Sequence, residues 1–578
     1  MRAALIFPPL AGPTYVPLGV ASLAAHLGQA APRLVLSTRD ANIAWWSREA
    51  KLDPEGPQVE AFCQGRDGRF FQEEAYEAHL PALARLWGRM QGQRALALRW
   101  LDTGELAPEL ASHLRIEVEA ALSTDPEWIG LSVLYPEQLA FALAICRALR
   151  EAEAGSPRIP ANRPDRWPGP GRRLILGGAA LSAIRPEVLL AACPYIDGLV
   201  EGEGEASLSA LAAGAPPGEI PGLLYQIHSG LGRGPLGRGG SQSPQGLHSE
   251  KAVPWPRPDF SGLDLGAYWN PEPVLPLLGS RACPWRRCRF CAHNASFGRR
   301  RQKEASLLAL EMGALVSQHG ARHIYLADQS VEPSSLDALS VALEASGVEV
   351  AFHAMMRPTP DITREALLRW SRAGLRWVSW GMESGSQRLL DLVRKGTRAD
   401  GLLPLFEAAS NAGVASLPML IFGLPGSTDS DAEATFALLE QAWPHLAGMT
   451  ASAFVLFSGT PFGKRPDRYG LVVDGSEPAV VLGGVTVPST RLRFHELGGS
   501  GELRPPRGPL EVAAWRQRAR WLPELPITDR MPVEHLLLWA ARRRPVIHVP
   551  PLPAPSTPPS SPAPSTPPVP IVPAPLAA

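Results

Sequence analysis

Cys283-Pro284-Trp285-Arg286-Arg287-Cys288-Arg289-Phe290-Cys291 follows the strand-like apolar run Val274–Leu278. Three thiolates packed into nine positions repel one another unless a metal compensates their charge. A cysteine-only set with no fourth cysteine nearby suits an iron–sulfur cluster with one open iron. Zinc is the rival, with His293 as fourth ligand of a Cys3His site. Three packed free thiols fit poorly on so arginine-rich a loop.

Outward from this loop, short apolar runs alternate with helical stripes. Downstream, His323–Asp328, Val350–Met356, Arg376–Glu383, Leu417–Phe422 and Ala453–Phe457 read as strands, with Leu308, Met312, Leu315 and Val316 marking one helix between them. Upstream, Ala3–Phe7, Arg33–Ser37, Trp128–Val133, Arg172–Leu176 and Asp197–Val200 read as strands, the last ending the set. Helices are expected at Pro17–Leu27, across Phe70–Leu122, and at Pro136–Arg150. Strands alternating with helices argue for an α/β fold, here a Rossmann-like doubly wound parallel sheet in the N-terminal half. Such sheets bind ligands beyond the carboxyl ends of their strands, which singles out Pro8, Ser132, Gly177, Gly178 and Gly202. Gly202-Glu203-Gly204-Glu205 has neither the spacing nor the position of a dinucleotide fingerprint.

The second half resembles the radical SAM enzymes. Their cysteine loop usually has three and then two residues between cysteines, with an aromatic before the last; here the spacing is four and two, with Phe290 in the aromatic place. Gly381-Met382-Glu383-Ser384-Gly385-Ser386 is similar to the end of that family's fourth strand, and Lys395-Gly396-Thr397 follows one helix later. Leu417–Gly426 and Ala453–Phe457 with Gly459-Thr460-Pro461 resemble its fifth and sixth strands. The resemblance implies a partial (β/α)6 TIM-type barrel over residues 271–465. It implies a 4Fe-4S cluster on Cys283, Cys288 and Cys291, with S-adenosylmethionine chelated by the fourth iron. It also implies Phe290 near the adenine and Glu383 and Ser384 against the methionine or ribose part. Some electron donor such as flavodoxin or ferredoxin is then required.

The order of a Rossmann-like domain, Pro256-Arg257-Pro258-Asp259-Phe260 and a barrel resembles the cobalamin-binding subfamily, as do Pro17-Leu18-Gly19, Gly177-Gly178 and Gly202–Glu205. The resemblance therefore implies cobalamin, with Ser132, Gly177, Gly178 and Gly202 as candidate contacts. No Asp-x-His-x-x-Gly is present, so no histidine is placed to ligate cobalt from below. Methylation of an unactivated carbon in a small-molecule or peptide substrate is the expected reaction, and radical cyclisation or rearrangement its variant. A zinc-stabilised binding scaffold is the reading from another class.

The expected organisation is a cobalamin-binding-type domain (1–215), a linker (216–270), the barrel (271–465), a C-terminal cap or substrate region (466–544) and a disordered proline-rich tail (545–578). The cap contains strand-like Ala479–Leu482, Val485–Val487 and Arg491–Phe494. Proline explains the ends of this scheme: the chain has 61, of which 14 fall in residues 545–578, where no aromatic and no charged residue is found to build a core. Glycines such as Gly232, Gly234 and Gly237 mark the linker.

Lysine plus arginine equals aspartate plus glutamate at 56 each, so bulk charge offers nothing to nucleic acid. Six cysteines, half of them on one loop, are not a secreted disulfide framework. Pro8, Pro9 and Pro13 break the apolar N-terminus, and no apolar run reaches the length of a membrane span, so a cytoplasmic chain is expected. His323 and His353 read as core or rim histidines, and isolated Cys63, Cys146 and Cys193 carry no site signal.

Overall fold

The computed structural model describes residues 1–154, 172–229, 232–240, 255–296, 298–498 and 500–542. The expected polyproline tail lies outside these residues, as do 230–231 and 241–254 of the expected linker.

The N-terminal half builds one seven-stranded sheet from β1 (Arg2–Phe7), β2 (Val35–Asp40), β3 (Trp128–Ser132), β4 (Arg173–Gly177), β5 (Gly198–Val200), β6 (Leu223–Ser229) and β7 (Gly232–Arg238). The order is β2-β1-β3-β4-β5-β6-β7, parallel through β5 and antiparallel beyond it. Side chains of β1 alternate between two cores: Ala4 and Ile6 face one, Ala3, Leu5 and Phe7 the other. Both faces are thus covered, as a parallel sheet requires. The order reverses between β1 and β3, and the crevice beyond their carboxyl ends is where such sheets take ligands. The strand expected at Arg33–Ser37 runs later, over Val35–Asp40. The single helical stretch expected over Phe70–Leu122 is two helices, Glu73–Thr103 and Pro108–Leu122; Gly104 in a left-handed conformation (φ +83°) stops the first and Pro108 starts the second. Asp197–Val200 is not the last strand. The β6–β7 hairpin, inside the stretch read as linker, extends the sheet by backbone pairing, which glycines permit.

Asp40 ends β2. Its Oδ1 accepts from Ile43 N (3.0 Å), capping helix Ala41–Lys51, and its Oδ2 accepts from the Tyr268 hydroxyl (2.7 Å). It lines a cavity of about 390 Å³ with Thr38, Ser47 and Tyr268. Burial, only partly offset by these bonds, raises its pKa to about 7. A carboxyl whose folded pKa lies above its unfolded value stabilises the fold at low pH and loses that contribution as pH rises through the folded value. Asp40→Asn keeps one oxygen for the Ile43 N cap, turns an amide N–H toward the Tyr268 hydroxyl oxygen, which then accepts, and cannot ionise. The gap between variant and parent melting temperatures is expected to widen in the variant's favour as pH rises from about 3, below the unfolded pKa, to about 8, above the folded one; parallel curves across that range would contradict the assignment.

The second half opens with β8 (Val274–Leu277), then β9 (Ser280–Arg281) paired antiparallel with β10 (Arg301–Gln302). Then β11 (His323–Leu326), β12 (Ala351–Met356), β13 (Leu375–Glu383), β14 (Ala415–Phe422) and β15 (Thr450–Ala453) join β8 in a parallel six-stranded half barrel, order β15-β14-β13-β12-β11-β8. The sixth strand is therefore Thr450–Ala453 and not Ala453–Phe457. Phe454 and Leu456 instead enter a satellite core with Phe462, Leu471 and Phe494. Tyr325, His353 and Trp377 are register neighbours on adjacent strands, and their rings pack at 4.4 and 4.2 Å between centroids. His353 is thus a core residue, kept neutral by burial at a pKa of about 3, with Nε2 3.1 Å from Ser379 Oγ.

The last region has β16 (Leu456–Phe457), β17 (Leu471–Leu482), β18 (Val485–Leu497) and β19 (Leu503–Arg504). The three short strands expected here are two long ones, joined at Gly483 and Gly484, both at positive φ. The tip reaches the first half: Gly484 N donates to Asp102 Oδ1 (2.8 Å) and Arg185 N to Pro488 O (3.1 Å). Helix Val533–Arg542 lies against β11, β12 and β13 with Leu536, Leu537 and Leu538 buried. No helix among the described residues is long and apolar enough to cross a membrane.

Candidate active site

The turn after β8 is set by one carboxylate. Asp328, just past β11, accepts from Gly279 N (2.9 Å) and Ser280 Oγ (2.5 Å), and burial raises its pKa to about 6. Asp328 therefore holds the start of the cysteine loop rather than capping a helix. Arg281 follows, with Nη1 2.8 Å from Glu203 Oε2 and Nη2 bonded to Glu205; Arg301 bonds Glu203 as well. Trp255 lies under Arg281, Arg301 and Lys303 at 5.0, 5.3 and 5.6 Å. The Gly202–Glu205 turn beyond β5 is thereby clamped to the entrance of the cysteine loop, so the carboxyl ends of the sheet and of the half barrel meet.

The loop is strained where it bends, with non-glycine residues Ala282 (φ +70°) and Arg286 (φ +50°) on either side of Cys283. Trp285, one of the four residues between the first two cysteines, reaches the turn after helix Gln387–Leu392. Its Nε1 donates to Arg394 O (2.8 Å), Arg357 stacks on it at 4.1 Å, and a Cβ at Gly396 would fall 2.4 Å from the ring. Arg289 N donates to Val393 O (3.0 Å) and Asn294 Nδ2 to Cys288 O (3.0 Å). These bonds fix the backbone of the loop through groups other than the thiols.

Cys283 and Cys291 are half-buried, Cys288 is buried, and none forms a disulfide. Burial, with Cys291, Glu383 and Cys283 nearby, pushes the Cys288 thiol up to about 12 against the pull of Lys395. Among the described residues no three Cys, His, Asp or Glu side chains already converge on a metal position. The donor set nonetheless fits a cluster: three free thiols on one rigid loop, each within the others' field, with no carboxylate on that loop. Phe290 packs on the satellite core of Leu389, Val393 and Phe454.

Glu383 ends β13 in a left-handed conformation (φ +64°), which turns its buried carboxylate toward Lys395; Nζ to Oε1 is 2.7 Å. Burial works against the Lys395 ammonium, but Glu383 and Cys288 outweigh it and hold its pKa above the ordinary value. A Cβ at Gly381 would lie 2.7 Å from that ammonium, which gives the glycine of the Gly-x-Glu pattern its reason. Ser384 turns away: its Oγ is 3.1 Å from Thr435 Oγ1 and accepts from Ser386 N, so it braces the turn. Lys395, Arg281 and Asp328 had no assigned role in the sequence; their positions in a landmark motif and at strand ends were the available signals.

Across the seam, Ser132 and Gly177 are register neighbours at the ends of β3 and β4, and Gly202 lies two residues past the end of β5; all three are half-buried or exposed. Gly178 (φ +108°) is explained by its own backbone: a Cβ there would lie 2.4 Å from Val133 O. A Cβ at Gly177 would meet nothing nearer than 3.7 Å, leaving room at that edge.

The Radical SAM superfamily model matches residues 277–439. An uncharacterized methyltransferase of Pyrococcus horikoshii is 26% identical over 267 residues, 45% of this chain and 56% of that protein. The anaerobic magnesium-protoporphyrin IX monomethyl ester cyclase of Rubrivivax gelatinosus is 25% identical over 298 residues, 47% of this chain and 50% of that one. The chain thus spans about half the length of these curated relatives. Two solved structures share the fold. One is the radical S-adenosylmethionine methyltransferase TsrM of Kitasatospora setae with cobalamin and a [4Fe-4S] cluster bound (TM-score 0.53, 16% identity, 83% of this chain and 82% of that one). The other is the cobalamin-dependent S-adenosylmethionine radical enzyme OxsB with aqua-cobalamin bound (TM-score 0.56, 14% identity, 90% and 67%). The stretch that matches the Radical SAM superfamily model, residues 277–439, carries the cysteine loop and most of the half barrel.

Proposed function

We propose that the protein is a radical S-adenosylmethionine enzyme that methylates an unactivated carbon, with a corrinoid held between its two halves. In this reading Cys283, Cys288 and Cys291 hold a 4Fe-4S cluster, and Ser132, Gly177, Gly178 and Gly202 border the corrinoid. When bound, these cofactors supply reductive cleavage of S-adenosylmethionine and a transferable methyl group. The observation that carries the proposal is the clamp of Arg281 and Arg301 on Glu203 and Glu205, which sets the cysteine loop against the carboxyl edge of the first sheet.

The chain's own residues then orient and seal. Lys395 fixes Glu383 at the barrel mouth, where a carboxylate can accept from the ammonium or hydroxyls of S-adenosylmethionine. Phe290 offers an apolar wall, and Ser384 holds the strand-end turn. The packed layer of Tyr325, His353 and Trp377 closes the barrel interior below and excludes water. The substrate is a small molecule or peptide, and an external one-electron donor is required.

Anaerobic purification tests the reading. A brown protein with iron and sulfide that cleaves S-adenosylmethionine when reduced is the expected result, with a corrinoid extractable after expression in the presence of cobalamin. A colourless protein carrying one zinc would end it, and an active enzyme without corrinoid would end the methyl-transfer part.

A further inference from the structure

Glu534 stands in the first turn of helix Val533–Arg542, and no role has been given to it. Two hydrogen-bonded neighbours and a buried leucine face hold the helix in place. His535 Nε2 donates to Trp269 O (2.6 Å), and its Nδ1 accepts from the Tyr76 hydroxyl (2.7 Å). Burial keeps that imidazole neutral, at a pKa of about 4. Leu536, Leu537 and Leu538 pack into the core.

The Glu534 side chain is correspondingly fixed and almost wholly enclosed, with 7% of the residue exposed. Its one side-chain partner among the described residues is Thr14, whose Oγ1 donates to Oε2 at 2.7 Å. No lysine, arginine or histidine among them pairs with it. Burial pushes its pKa above the ordinary carboxylate range.

Three phenols lie near it: Tyr15 is next in the chain to Thr14, the Tyr135 ring meets that of Tyr15, and Tyr325 is on β11, against which the helix packs. The Glu534 charge adds to burial in raising all three. The Tyr15 and Tyr135 rings meet edge to face at 6.2 Å, and Tyr15 also stacks on Phe7 at 5.7 Å. The hydroxyls of Tyr15 and Tyr325 make no hydrogen bond to any described residue. The group therefore brings together residues that follow β1 and β3, between which the first sheet reverses its strand order, and one on a strand of the half barrel.

A carboxylate removed from water without a cation is costly, and the cost is recovered only when a positive group enters beside it. Aromatic faces around that position add cation–π attraction, and their hydroxyls add hydrogen bonds. We infer that Glu534, with Tyr15, Tyr135 and Tyr325, forms the subsite for a protonated amine on the substrate. The inference rests on the proposed function and deepens it, since it names the charge that the methylated molecule carries.

The test uses the full chain and phenethylamine as probe, with phenethyl alcohol as its uncharged counterpart. Binding is followed by calorimetry, and S-adenosylmethionine cleavage is measured on the same preparation without probe. Phenethylamine is expected to bind the parent at least tenfold more tightly than the alcohol. Glu534→Gln, which keeps the Thr14 acceptor, is expected to erase that preference and leave the alcohol unaffected. Tyr325→Phe, which keeps the ring, is expected to weaken amine binding severalfold and serves if the Gln variant does not fold. Equal binding of amine and alcohol by the parent, or an unchanged preference in either folded variant, overturns the subsite. Failure of the parent to cleave S-adenosylmethionine overturns the proposed function instead, whatever the probe does.

Discussion

Cys288→Ala is expected to lose iron and sulfide and to bring S-adenosylmethionine cleavage to background, while the protein still folds. The separation of the two effects follows from how the loop is built. Trp285, Arg289 and Asn294 fix its backbone through bonds in which no sulfur takes part. Removing one small buried thiol leaves that frame intact and costs little beyond a methyl-sized void. The cluster has no such reserve: a set of three ligands with one open iron cannot spare one, and Cys63, Cys146 and Cys193 lie in the core of the N-terminal half. Iron and sulfide analysis, circular dichroism and product assay on one preparation check all three outcomes. Cys63→Ala serves as the matched control and is expected to retain the cluster. A Cys288→Ala protein that still cleaved S-adenosylmethionine would refute the ligand assignment.

Arg281→Ala should produce a large loss of stability for a change outside the hydrophobic core. Arg281 and Glu205 are 13% and 5% exposed in their side chains, so truncating the arginine strands a desolvated carboxylate. Breaking a buried pair from one side costs about 3–5 kcal/mol. Coulombic and hydrogen-bonding help from Arg281 holds the Glu205 pKa below its ordinary value despite burial, so the carboxylate is the charged partner at neutral pH. Glu205→Gln should cost less, and the Arg281→Ala, Glu205→Ala pair should cost less than the sum of its singles. Because the clamp joins the two halves, the variant is also expected to lose catalytic coupling while retaining iron. Denaturant unfolding followed by tryptophan fluorescence measures the first effect. Additive single and double variants would show that the pair is not coupled.

Much of this architecture can be read from patterns along the chain, and the exceptions have physical causes. Buried parallel strands such as Leu375–Glu383 announce themselves as apolar runs, because both faces are covered. Thr450–Ala453 does not: at the edge of the half barrel it needs no large side chain, and the conspicuous Phe454 and Leu456 belong to another core. The β6–β7 hairpin escaped notice because its glycines and proline look like a linker while backbone pairing alone carries the extension. The β17–β18 hairpin looked like fragments because Pro478 and Pro488, which face each other across the pair, interrupt the alternation.

At the site, the cysteines were legible from spacing, whereas Lys395 on Glu383 depends on how a strand end meets a turn 12 residues later. Glu534 left no trace at all. An acid at the start of a leucine-rich helix looks like an ordinary surface residue until Thr14, 520 positions away in sequence, is found against it.

That separation has a consequence for how the molecule is made. Tyr76 emerges from the ribosome 459 residues before its partner His535. At a synthesis rate of about 5–20 residues per second, the gap is roughly half a minute to a minute and a half. Helix Val533–Arg542, the last among the described residues, is therefore made only after that wait, and His535 joins a first half that has already had time to fold.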